Sequence, residues 1–176
     1  MLAGMANLVV VDKDLLRFEG RDYVCAVGRG GIAADKCEGD GVTPIGLWPL
    51  RRVLYRADRL SEPACYLERQ KLTPEDGWCD DPGHADYNRQ VVLPHGGSFE
   101  NLWREDTVYD IIVVLGHNDD PVIAGQGSAI FLHIARDDYA PTEGCVALAR
   151  DDLISVLAQV KAGASVEIAG QKKLMS

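Results

Sequence analysis

The chain predicts a mainly β fold, a single-domain β-sandwich or mixed β-fold over residues 1–176 with one helix near the C-terminus. Short runs rich in β-branched residues recur along it, and helical spacing of apolar residues is sustained only once, after Asp151. Strands that do not alternate with helices argue against an alternating α/β sheet. With 176 residues and 47% hydrophobic content the chain can bury one core, and no compositional break favours a second domain.

Leu8-Val-Val-Val11 and Leu15-Leu-Arg-Phe18 flank Asp12-Lys13-Asp14 and read as a hairpin, with Tyr23-Val-Cys-Ala-Val27 as a third strand of a meander. Gly28-Arg-Gly-Gly31 ends that strand, and Gly39-Asp-Gly41 marks another loop. The stretch Gly46–Tyr55 alternates imperfectly and contains Pro49, so it reads as a strand at an edge or with a bulge. From Cys65 to Gly97 sustained apolar runs are few, and Asp80-Asp-Pro-Gly-His84 is turn-forming, so a long loop serving as lid or substrate wall is expected there. Ser98 is suited to cap a short helix over Phe99–Trp103. Tyr109–Leu115 and Ala129–Ile134 read as buried strands. The helix begins near Asp151, with Leu153, Val156, Leu157 and Val160 on one face and Gly163 as terminator; Ser165-Val-Glu-Ile168 follows as a closing strand.

A net charge of -9 argues against nucleic acid as partner, and Arg51-Arg52 and Lys172-Lys173 read as solvated surface. No apolar run is long enough to span a bilayer, and the first twelve residues lack the pattern of a secretory signal. Five cysteines, at 25, 37, 65, 79 and 145, leave an unpaired thiol in a monomer and include no C-x-x-C pair. Cys25 reads as buried, while Cys37, Cys65 and Cys79 are open to exposure or, in an oxidising compartment, to a disulfide. His84, His95 and His117 are too dispersed to read as a metal set, and Gly28-Arg-Gly-Gly31 is too weak for a phosphate loop, so neither metal nor cofactor is expected.

The chemistry concentrates in Thr142-Glu-Gly-Cys-Val146, one loop after His133. A thiol becomes a strong nucleophile when an imidazole takes its proton, and a glycine before it lets the backbone turn so that amide N–H groups face an oxyanion. Cys145 is the candidate nucleophile and His133 the base; the bland alternatives are a buried structural thiol and a core histidine satisfied by a backbone carbonyl. Gly144 and Cys145 are candidate oxyanion donors, and Thr142 a hydrogen-bonding residue of the loop. Glu143 is suited to orienting the imidazole or binding a substrate amine, or it merely faces water. Its carboxylate opposes thiolate formation, so a compensating cation is expected, with Arg136 nearest in sequence. Tyr87, Arg89 and Trp103, with Arg104, offer aromatic area and guanidinium groups suited to a peptide carboxylate or a sugar, or are simply loop packing.

The segment resembles the active-site region of the L,D-transpeptidase catalytic domain, the YkuD-type cysteine acyltransferases of bacterial cell walls. There a strand-end His precedes a Ser/Thr-His-Gly-Cys-hydrophobic segment, matched here by His133 and by Thr142, Glu143, Gly144, Cys145 and Val146. Gly41-Val-Thr-Pro-Ile-Gly-Leu-Trp48 resembles the family's Thr-Pro-x-Gly-x-aromatic signature. The chain departs from the pattern at Glu143, in place of a second His, at Ala147, in place of Arg or Asn, and in a shorter His-to-Cys spacing. The resemblance implies a β-sandwich and a Cys145 thioester on peptidoglycan stem peptides as donor and acceptor. It implies sensitivity to carbapenem-type inhibitors and a place in the periplasm or cell wall; with no signal in the sequence, the cytoplasm is the alternative. With water as acceptor the activity becomes an L,D-carboxypeptidase, and with no chemistry the chain becomes a wall-binding module.

Overall fold

The computed structural model describes residues 7–170, so Lys172-Lys173 and the first six residues lie outside the description. Strands β1 (Leu8–Asp12), β2 (Leu15–Phe18) and β3 (Arg21–Ala26) form the expected meander. Next come β4 (Ile32–Ala33), β5 (Thr43–Pro44), β6 (Gly46–Tyr55), β7 (Glu68–Lys71), β8 (Asp76–Cys79), β9 (Gln90–Val92) and β10 (Phe99–Asn101). The chain continues through β11 (Ile111–Leu115), β12 (Phe131–Ile134), β13 (Val146–Leu148), α1 (Arg150–Gln159) and β14 (Ser165–Ile168).

The main sheet runs β11-β12-β13-β3-β2-β1-β14-β6-β7, and a further pairing of β6 with β11 closes it on itself. Two strands make the corners. β3 pairs with β2 through residues 21–24 and with β13 through 25–26; β6 pairs with β14 through 46–49 and with β11 through 50–55. The register of β6 slips beside Arg51, the bulge by which a strand passes from one layer to another. The bulge expected in this strand is therefore present, and so is the edge: residues 46–49, Pro49 among them, pair on one side only, with β14, whereas 52–55 lie between β11 and β7. Pro49 is tolerated there because it lacks only an N–H; its carbonyl accepts from Gly116.

Alternation along the strands separates two apolar regions. Leu132, Ile134, Val146, Leu148, Ile111 and Val113 face the inner core, where Leu8, Phe18, Val53 and Val166 also lie. Leu153, Val156 and Leu157 of α1 join them, as the apolar face of that helix requires. The helix has no side-chain cap, but Asp151 and Asp152 occupy its positive first turn; Val160 follows in extended conformation and Gly163 turns at φ 80°. Each fully buried aliphatic side chain contributes about 1.5–3 kcal/mol of transfer free energy, so this core is the main source of stability.

The other face of β11-β12-β13, carrying Ile112, Val114, Phe131 and Cys145, is covered by Trp78, Leu102 and Tyr109. Trp78 belongs to a separate three-stranded sheet, β10-β8-β9. Three short strands, β7, β8 and β9, interrupt the loop expected over 65–97, and, as a correction, Phe99–Asn101 pairs with β8 instead of forming a helix capped by Ser98. The Ser98 hydroxyl donates to Asp80. Among the described residues no helix is long and apolar enough to cross a membrane.

Candidate active site

Cys145 directly precedes β13, which runs parallel to β12 with Leu132 opposite Val146 and His133 opposite Ala147. Side chains two residues apart share a face, so Phe131, His133, Cys145 and Ala147 all project away from the inner core. Two residues of rise across one strand spacing put the backbones of His133 and Cys145 roughly 8 Å apart, a gap an imidazole and a thiol can bridge. Both line one cavity of about 470 Å³, together with Thr142, Glu143, Tyr109 and Glu100.

The turn before Cys145 is held by close backbone packing. Gly144 adopts φ 135°, and a Cβ there would lie 2.9 Å from the carbonyl oxygen of Val42. A Cβ on Gly28 would overlap the Gly41 carbonyl oxygen at 2.0 Å. Only glycine permits this approach of three chain segments. Thr43 ties them together: its buried hydroxyl accepts from Gly28 N at 2.8 Å and donates to Gly144 O at 2.8 Å. Thr142 donates to Cys145 O at 2.6 Å, while its hydroxyl accepts from Gly144 N at 3.1 Å. The two sequence signatures, around 43 and around 145, thus meet through one threonine. The Gly144 N–H, an expected oxyanion donor, is already engaged by Thr142.

His133 donates from Nδ1 to Ile134 O at 2.9 Å, which fixes the ring proton and leaves Nε2 with a lone pair. Among the described residues His117 Nδ1 is the one buried side-chain nitrogen or oxygen without a partner, so Nε2 of His133 must reach solvent through the cavity. The core-histidine reading and the base reading are therefore compatible on opposite sides of one ring. Burial lowers the His133 pKa to about 4. Burial likewise raises the Cys145 thiol to about 12, with Glu100 adding to the rise and the Phe131 N–H opposing it. Both groups rest neutral. The thiol donates to Ala129 O at 3.2 Å and accepts from Phe131 N at 3.3 Å; among the described residues it is not hydrogen-bonded to the imidazole.

The remaining expected residues divide by position. Glu143 lines the cavity and is the more exposed partner of an ion pair with Arg29 Nη2 at 2.7 Å, so its own partner is Arg29 and not Arg136. Arg136 also lines the cavity, but its partner is Asp106 at 3.6 Å. Tyr87, Arg89 and Trp103 are not among the lining residues. Tyr87 is buried and donates to Glu38 at 2.6 Å, supporting a carboxylate that does line the cavity. Arg89 is exposed elsewhere, and Trp103 stacks under Arg56, whose Cζ is 3.4 Å from its ring centroid. Arg104 lines the cavity beside its bidentate partner Asp106.

Sequence reasoning missed Glu100 and Tyr109. The Tyr109 hydroxyl donates to Glu100 in a short hydrogen bond, and the tyrosine ring meets His133 edge-on at 5.3 Å. Burial raises the Glu100 carboxyl. Neither residue carries a local signal; their pairing depends on β10 folding over the main sheet. All five cysteines are free, and His84 and His95 are not dispersed in space, since they converge on Cys79.

The L,D-transpeptidase catalytic domain family, YkuD, matches residues 5–168. The chain belongs to that family. Its mostly β architecture with one helix near the C-terminus agrees with the fold expected of an L,D-transpeptidase domain. No curated protein matches the chain as a relative. Among solved structures, Mycobacterium tuberculosis L,D-transpeptidase 1 is similar at 14% identity and a TM-score of 0.43, with 94% of this chain and 59% of that one covered. The helical cell shape determining protein Pgp2 from Campylobacter jejuni is similar at 15% identity and a TM-score of 0.44, over 97% of this chain and 50% of that one. The chain thus spans 59% of the length of the first of these proteins and 50% of the second.

Proposed function

We propose that residues 1–176 form one L,D-transpeptidase domain that crosslinks peptidoglycan stem peptides at the cell wall, outside the cytoplasmic membrane, through a thioester on Cys145. The observation that carries this is the shared exposure of His133 and Cys145 to one cavity from adjacent parallel strands. His133 Nε2 takes the thiol proton as Sγ turns from Ala129 O and attacks the donor carbonyl. The Phe131 N–H stays with the sulfur and offsets part of the cost of its charge. Collapse of the tetrahedral intermediate breaks the C–N bond, and His133 returns the proton to the departing amine. An acceptor amine then attacks the thioester, the C–S bond breaks, and a crosslink forms while the thiol recovers its proton. Arg104 and Arg136 suit a stem carboxylate, and Glu143 with Glu100 suits an amine.

Water in place of the acceptor amine gives an L,D-carboxypeptidase by the same steps. Incubation with tetrapeptide-bearing muropeptides separates the outcomes: crosslinked dimers mark transfer, and tripeptides with free D-amino acid mark hydrolysis. A catalytically idle wall-binding module is the second reading, favoured by the neutral thiol and its bond to Ala129. Unchanged muropeptides that nevertheless bind the protein would establish that reading instead. We place carbapenem-type β-lactams among the acylating ligands of Cys145.

A further inference from the structure

We infer that Cys79, His84 and His95 form a binding site for a thiophilic divalent transition metal, zinc foremost, on the β8–β10 lobe. The ligand atoms of these three residues lie within 4.8 Å of one another. With Zn–S of about 2.3 Å and Zn–N of about 2.0 Å, tetrahedral neighbours stand roughly 3.5 Å apart, so closure needs shifts on the order of 1 Å. One thiolate and two imidazoles match zinc and exclude magnesium or calcium, which take oxygen ligands.

The lobe prepares the site. Cys79 ends β8, and reciprocal backbone bonds, Cys79 N to Arg89 O and Asn88 N to Cys79 O, return the 80–87 turn to its side. His84 N donates to Asp81 O within that turn, and a Cβ on Gly97 would lie 3.0 Å from the His84 ring, so the ring is packed closely against that backbone. The His84 and His95 ring centroids are 4.4 Å apart. Ligating histidines normally give their second nitrogen to an outer acceptor, and His95 has one on each side of its ring. His95 has Asp86 Oδ2 at 3.3 Å from Nε2 and both Gly97 O, at 3.3 Å, and Gly97 N, at 3.2 Å, beside Nδ1; coordination through Nε2 lets Nδ1 donate to Gly97 O, and coordination through Nδ1 displaces the Gly97 N–H while Nε2 donates to Asp86. His84 Nδ1 accepts from Asp86 N at 3.0 Å, so coordination through Nε2, which moves the ring proton to Nδ1, breaks that bond and turns the new N–H toward Asp86 Oδ2, 3.7 Å away.

Asp80, Asp81 and Asp86 surround the thiol with negative charge, which favours a dication. Binding releases the Cys79 proton to solvent, giving one thiolate, two neutral imidazoles and a water in the fourth position. The partly exposed His84 is the side of entry. In the β10–β8 register Phe99 opposes Cys79 and Glu100 opposes Trp78, and Asp80, Phe99 and Glu100 line the active-site cavity. The metal would therefore fasten the wall opposite Cys145 without touching the reacting atoms.

Chelator-treated full-length chain titrated with cobalt(II), then competed with zinc, tests the site. One equivalent of cobalt is expected to give thiolate charge-transfer and tetrahedral ligand-field bands, bleached by zinc. His84→Gln, at a partly exposed position, is expected to weaken zinc binding on the order of 100-fold or more, as are His95→Gln and Cys79→Ser. Cys145→Ser is expected to leave the bands unchanged. Absence of the charge-transfer band, its persistence in Cys79→Ser, or unaltered affinity in His84→Gln would overturn the assignment.

Discussion

The floor and the wall of the active-site cavity are built on different physical terms. The floor, β12, β13 and the 142–145 turn, belongs to the closed main sheet, and its reactive groups are placed by ladder register, three closely packed glycines and a twice-bonded threonine. The wall, β8–β10, is a small separate sheet held by a smaller apolar cluster, in which Trp78 meets Phe131 at 5.0 Å and Leu102 is buried, and by polar pairs such as Tyr109–Glu100 and Tyr87–Glu38. Folding of the core therefore fixes the position of Cys145. The shape of the space facing it depends on side-chain charges and hydrogen bonds, which pH, salt and metal ions alter.

The largest effect that would break this contrast is expected at Thr43. Thr43→Val keeps the volume but leaves Gly28 N and Gly144 O without their buried partner, costing about 1–3 kcal/mol for each group. Denaturant melts of the variant should show this loss together with slower acylation. A stability change near zero would mean that the glycine junction does not hold the floor. Acid should act next in size. His133 falls from 6.5 to about 4 on folding, so the unfolded chain binds the extra proton first. Its contribution is complete above pH 6.5 and is lost as pH falls toward 4, amounting to roughly 3 kcal/mol at about 1.4 kcal/mol per unit. Burial lowers His117 to about 4 as well, so urea melts across that window should show a decline from both imidazoles, and His133→Gln should remove about half of it; an equal slope in the variant would contradict a buried neutral imidazole at 133. Arg29→Ala should have the smallest effect. Its pair with Glu143 is exposed on both sides, so the melting temperature should not move measurably, whereas the salt dependence of substrate KM should change. A clear loss of stability would make the cavity rim part of the framework.

What the sequence disclosed follows the same division. Strands 8–12, 15–18, 111–115 and 165–168 and the helix after Ala149 are legible because their periodicity is set by burial on the main core. Cys145 and His133 could be picked as candidates because a cysteine, a glycine and a strand-end histidine lie within one loop of each other. The wall is not: Gly77, Pro82, Pro94 and the glycine pair at 96–97 mask short strands whose pairing is set by tertiary contacts. Glu100 and Tyr109 face the nucleophile only after that sheet folds across the main one, and Tyr87 and Trp103 look like ligand groups in sequence but are satisfied by Glu38 and Arg56. Arg29, 114 residues from Glu143, could not be chosen over the nearer Arg136 by proximity along the chain.

The most direct test of the central claim is peptide-mapped mass spectrometry of the acyl-enzyme formed with a carbapenem or a tetrapeptide stem donor. The account predicts one adduct, confined to Cys145, absent in Cys145→Ala and formed on the order of 10²–10⁴-fold more slowly in His133→Ala. An adduct on Cys37 or Cys65 with Cys145 unmodified, or an acylation rate indifferent to His133, would contradict it.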